Sequence, residues 1–136
     1  MSIPVDLAEL ADAASRHDFA YLVTTTPDGP AHLVAVQPVV EDRVVRVAGL
    51  GRRTLENAAA RPQVTLAWPP RVAGEHSLLV DGTAEVPAGV EGTVVVTPSR
   101  AVLHRPAPSP TPAQTDDPSA CVSDCVEVPL AGDPRS

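Results

Sequence analysis

The stretch Gly49-Leu50-Gly51-Arg52-Arg53-Thr54 gathers the residue types that an anion site needs. The glycines let the backbone approach a charged group, the start of the following helix exposes unpaired N–H groups, and two guanidiniums supply charge. The competing reading is a solvated helix start whose arginines pair with Glu56 or other surface acids. A second constellation is Cys121-x-x-x-Cys125, with Asp124 between. Two thiolates are only half of a closed zinc site; His104 can add a third ligand and a dimer mate more. The same pair can form a reversible disulfide, regulatory or catalytic in a reducing cytosol, or stay as idle thiols. Gln37, on a strand with His32, Val34 and Val36, can hydrogen-bond the polar edge of a planar ligand, and Trp68 can stack on one. The plainer readings make Gln37 a surface residue and Trp68 a plug at one end of the core. No acid–base pair or nucleophile triad stands out.

Charge narrows the partners. The chain has 136 residues, a formal net charge of −7, and no lysine, so every cation is arginine. Schiff-base chemistry is therefore excluded, and an anionic ligand must be held by guanidinium forks, hydroxyls or backbone N–H groups. An acidic chain lacks the basic face that nucleic acid requires. The acidity is uneven: nine arginines face twelve acids up to Arg105, and one arginine faces five acids beyond it. No basic-then-apolar leader is visible, nor an apolar run near the roughly 18 residues that a membrane span needs. The expectation is a soluble cytoplasmic protein without membrane partners. Two cysteines rule out a disulfide framework.

The elements that must position these residues are mostly strands. Phe19, Tyr21 and Trp68 are the only aromatics, and Val and Ala dominate the apolar residues. A core of small branched side chains suits closely spaced strands. Val5 to Ala14 has helical spacing, with Asp6 as N-cap and Glu9 three residues on. Phe19–Thr26 reads as a strand, Pro27-Asp28-Gly29-Pro30 as a turn, and His32–Val40 as the returning strand, with Pro38 marking an edge or bulge. Val44–Ala48 follows, then the glycine-marked loop and a helix stopped by Pro62. Gln63–Trp68, Ser77–Val86 and Thr93–Leu103 complete six strands. Residues 1–105 read as the folded domain, 106–120 as a proline-rich linker, and 121–136 as a cysteine-containing tail in which Cys121 to Leu130 can dock as a short strand. The order predicts a mainly β fold: a six-stranded antiparallel split β-barrel with one or two short helices, completed as a twofold homodimer because strands this short leave an open seam.

The runs FAYLVTTTPDGPAHLVAV, VVRVAGLGRRTLENAAARPQVTLAW and LLVDGTAEV, in that order, resemble the pyridoxamine 5′-phosphate oxidase-like, flavin-binding split-barrel family over about residues 15–105. The resemblance implies a homodimer with FMN at the subunit interface, or a deazaflavin or haem in some branches. It further implies that the basic loop holds the phosphate and that second- and third-strand groups, Val36 and Gln37 among them, line the ring. Arg52 matches the family's loop arginine and Asn57 its helix asparagine. Thr54 stands where many flavin-binding members carry lysine; Arg53, the Thr54 hydroxyl and the helix start are left to compensate. The link from Val86 to Thr93 is shorter than in larger members, which place a helix there.

Two functions follow as expectations. One is an FMN-type oxidoreductase acting on a small organic molecule, in which the cofactor performs the chemistry. The other is a non-catalytic module that binds a ligand, haem or metal, with the CxxxC tail as a redox-responsive flap.

Overall fold

The computed structural model describes residues 2–107. Strand β1 (Ser2–Pro4) leads through a 3-10 turn (Leu7–Glu9) into helix α1 (Leu10–Ala14). Asp6 caps the turn as expected, its carboxylate accepting from the Ala8 N–H at 3.0 Å. The hairpin β2 (Ala20–Thr25) and β3 (Ala31–Val36) follows, then β4 (Val39–Glu41) and β5 (Val44–Val47). Helix α2 (Arg52–Ala60) precedes β6 (Gln63–Trp68), β7 (Ser77–Glu85) and β8 (Val94–His104).

All strand pairs are antiparallel, and the order is β3-β2-β6-β7-β8-β5-β4, with β1 added to β8. The two edge strands of that order are joined by only Gln37 and Pro38. Three Cα steps span at most about 11 Å. A flat sheet would hold edges six strand spacings apart, about 29 Å. The sheet must therefore curl until its edges nearly meet, leaving a seam at Gln37-Pro38. Val45, Val47, Leu66, Val80, Val94 and Val96 fill the interior with no exposure, the small-branched core that the composition predicts.

The six strands expected from the sequence become eight, for two local reasons. His32–Val40 is not one strand but β3 and β4, broken at Pro38, which has no N–H to continue a ladder. β1 is three residues long and is recruited by β8, whose eleven residues outrun β5: β5 pairs with Val94–Val96 and β1 with Val102–His104. α1 is also shorter than the ten-residue helix expected, since its first turn is 3-10.

Gly82 fixes the curl. Between Asp81 and Gly82 the β7–β8 register slips, so that Asp81 faces Arg100 and Gly82 faces Pro98. A Cβ at Gly82 would stand 2.6 Å from the Thr97 carbonyl oxygen and 2.7 Å from Val96 Cγ1. The first of these is backbone and cannot swing away. Gly82→Ala is expected to cost roughly 1–3 kcal/mol by overpacking. In a domain of this size that lowers Tm by roughly 4–8 °C per kcal/mol. A melting curve within a degree of the parent's would refute the close-approach account.

Candidate functional site

The anion loop is built as an uncapped helix start. Gly49 takes φ +74°, open to glycine at little cost, and turns the chain out of β5. The Leu50 N–H donates to the Gly92 carbonyl at 2.9 Å, pinning the loop to the β7–β8 connection. Gly51 is the N-cap; no side chain caps the helix, and no acid stands in its first turn. Instead Arg52 and Arg53 occupy the first two helical positions, at the positive end of the helix dipole. Helices ordinarily place acids there. Both arginines are exposed. Among the described residues neither makes an ion pair with Glu56 or any other acid, nor a side-chain hydrogen bond. A Cβ on Gly49 or Gly51 would meet no atom within 4 Å, so the backbone here borders open space.

Thr54 and Asn57 differ from their expected roles. At 2 % and 3 % exposure they lie on the buried face of α2 with Ala58. The Asn57 amide donates to Thr24 Oγ1 on β2 at 3.1 Å, a bond sealed inside the domain. These side chains seat α2 on the sheet, and the Thr54 hydroxyl does not stand beside the arginines' exposed guanidiniums to replace a lysine. The helical period explains the split: Thr54, Asn57 and Ala58 share one stripe, while Arg52, Arg53 and Glu56 lie off it.

Two clefts flank the seam and share Asp18, Phe19 and Gln37. One, about 450 Å³, adds Ala35, Val36 and Ala48. The other, about 320 Å³, reaches toward Ser15, His17 and Trp68. Gln37 is exposed at their junction, whereas Val36, which lines the larger cleft, is largely buried in the core. His32 and Val34 are half-buried on the same side of β3. Ala48 ties the larger cleft to the arginines, because it lies four Cα steps from Arg52, a span of at most about 14 Å. Trp68 is 2 % exposed and packed in the core. This burial favours the plug reading, although the ring also borders the smaller cleft.

Cys121 and Cys125, and all of the chain from residue 108 onward, lie outside the described residues. His104 Nδ1 sits 3.1 Å from Ser2 Oγ. Among the described residues no group of three or more His, Cys, Asp or Glu is placed to hold a metal. No described helix is long and apolar enough to cross a membrane.

Sequence reasoning missed Thr24, Gly92 and Ala48. Thr24 and Gly92 act through pairings 33 and about 42 residues away in the chain, for which one sequence carries no signal.

Comparison with solved structures supports the barrel. An F420 reductase superimposes with a TM-score of 0.56 at 21 % identity, covering 68 % of this chain and 94 % of that one. An FAD-binding protein from Mycobacterium smegmatis gives 0.56 at 19 %, covering 77 % and 100 %. A Listeria innocua protein named after pyridoxamine 5′-phosphate oxidase gives 0.57 at 13 %, covering 71 % and 96 %. Similarity this low shows a shared fold and nothing further. No protein-family model matches the chain. Two mycobacterial proteins, Mb0449c of Mycobacterium bovis and MT0457 of Mycobacterium tuberculosis, both described as uncharacterized, are each 41 % identical to it over 137 aligned positions, covering 90 % of this chain and 93 % of theirs. The chain belongs to the family of these two mycobacterial proteins.

Proposed function

We propose that the protein binds an FMN-type flavin as a homodimer and serves as an oxidoreductase for a small organic molecule. One observation carries the reading: two exposed, unpaired arginines crowd the positive end of a helix that has neither cap nor acid. Like charges gathered without compensation cost stability, and such local conflicts are characteristic of sites kept for a ligand. A flavin phosphate would supply the missing counter-charge through Arg52, Arg53 and the first N–H groups of α2. The residues fit the group: the glycine backbone borders open space, and the larger cleft begins four residues upstream. Val36 and Gln37 would border the ring, Gln37 offering a donor and an acceptor to its polar edge. A bound flavin supplies reversible hydride or electron transfer. The chain's own task is to orient it and to hold water away.

The outer face of the sheet favours the dimer. Tyr21 sits between Ala35 and Ala67, Val23 beside Leu33, and Tyr21 and Leu33 are 38 % and 55 % exposed. Burying such a face would also cover the seam. The alternative, a binding module without turnover, is favoured by the inward turn of Thr54, which leaves the anion to two guanidiniums and backbone alone.

Titrating the purified protein with FMN, FAD and F420 separates these readings. Quenching of FMN fluorescence with a Kd at or below tens of micromolar, and a dimer in solution scattering, are the expected results. Failure to bind any of the three would end the flavin reading.

A further inference from the structure

Cations collect in a second place, lined by no residue of α2. A cleft of about 310 Å³ lies between the end of α1, the β6–β7 loop and the end of β8. Arg16, Arg71, Arg105, His17 and His76 line it, with Glu75 as the one carboxylate among the described lining residues. Three of the ten arginines of an acidic chain thus meet in one concavity, each from a different element.

The guanidiniums are braced from behind. Arg16 Nη2 donates to Asp12 Oδ2 at 2.6 Å. Arg71 Nε donates to Asp18 Oδ1 at 2.8 Å, and its Nη2 to the Ser15 carbonyl at 3.3 Å. Arg105 Nη1 donates to the Gly74 carbonyl at 3.4 Å. Neither Asp12 nor Asp18 lines the cleft. A guanidinium has five N–H donors in a rigid fork, so the anchoring bonds of Arg16 and Arg71 fix their planes and leave further donors on these two for a ligand. The walls are also tied together. The His17 ring spans from the Ala13 carbonyl (3.1 Å) to the His76 carbonyl (3.2 Å), joining the helix end to the loop.

We propose that this cleft is a second anion site, taking the phosphate or pyrophosphate group of a small molecule. Bracing acids outside and guanidinium edges inside make a preorganised, bidentate receptor, the geometry that phosphate oxygens match. Glu75 opposes a polyanion at the rim and tempers affinity. The site does not depend on a flavin binding at α2.

The test uses the full chain carrying Arg52→Gln and Arg53→Gln, so that α2 keeps only its backbone N–H groups and loses both guanidiniums. Calorimetric titration at low ionic strength is run with inorganic pyrophosphate and with ribose 5-phosphate. Saturable binding of either supports the site, and the tighter of the two says whether the source is inorganic or a phosphorylated small molecule. Adding Arg16→Gln and Arg71→Gln should weaken it by about tenfold. Adding Glu75→Gln instead, an exposed change that does not threaten the fold, should tighten it by roughly two- to threefold. Titrations that do not saturate, or an affinity that Glu75→Gln leaves unmoved or lowers, overturn the proposal.

Discussion

Replacing Arg52 and Arg53 together by alanine is expected to weaken FMN binding by at least about 100-fold while leaving the melting temperature unchanged or slightly raised. Hydrogen bonds to a charged partner contribute about 1.5–3 kcal/mol each, and two are removed. The folded protein loses no contact in return, because neither guanidinium has a partner among the described residues. Removing two cations from the positive end of α2 instead relieves a repulsion of about 0.3–1 kcal/mol each. The combination is diagnostic. A solvated helix start, the competing reading, would show the same stability gain with no change in affinity. An arginine pair that braced the fold would show a loss in both. Flavin titration and a melting curve on one preparation read both quantities, and an affinity within twofold of the parent's removes α2 from the site.

How much of this could be read from the chain depends on how local each cause is. β6 is bounded by Pro62 and by Pro69-Pro70, and the structure places its ends where those prolines put them. The Asp28-Gly29 turn and the Asp6 cap are likewise local chemistry and fall as expected. Features that depend on distant partners are not visible in the same way. In His32–Val40 Pro38 signals an edge or bulge, but the full division into two strands emerges only once β4 is claimed by β5 on the opposite edge of the sheet. β1 has almost no propensity of its own and exists because β8 has an unpaired edge to offer. Within the site, Arg52 and Arg53 are legible because charge at a helix start is a sequence property. Thr54 and Asn57 are polar residues that sequence alone assigns to the surface or the ligand; only Thr24 gives Asn57 a reason to be inside. The barrel was therefore readable in outline, and the charged half of the site with it.

Trp68 shows what the distinction between core and site is worth in stability. It ends β6, pairs in register with Leu78, and closes the domain beneath α1 and the seam at Gln37-Pro38. In a core otherwise made of Val, Leu and Ala, no neighbour is large enough to refill the space it would leave. Trp68→Ala is expected to cost about 3–5 kcal/mol, at the top of the range for single substitutions. Against a total stability of about 5–15 kcal/mol, this lowers Tm by well over ten degrees or prevents folding. Trp68→Phe keeps a ring and should recover more than half of that loss, so the measurement survives even if the alanine variant does not fold. The two roles the sequence allows predict opposite patterns. A stacking platform would lose flavin affinity in both variants with little change in urea midpoint, whereas a plug loses midpoint in proportion to the volume removed. A Trp68→Ala protein that unfolds within about 1 kcal/mol of the parent would return the ring to the ligand, and with it the wider cleft that a cofactor at the seam would then need.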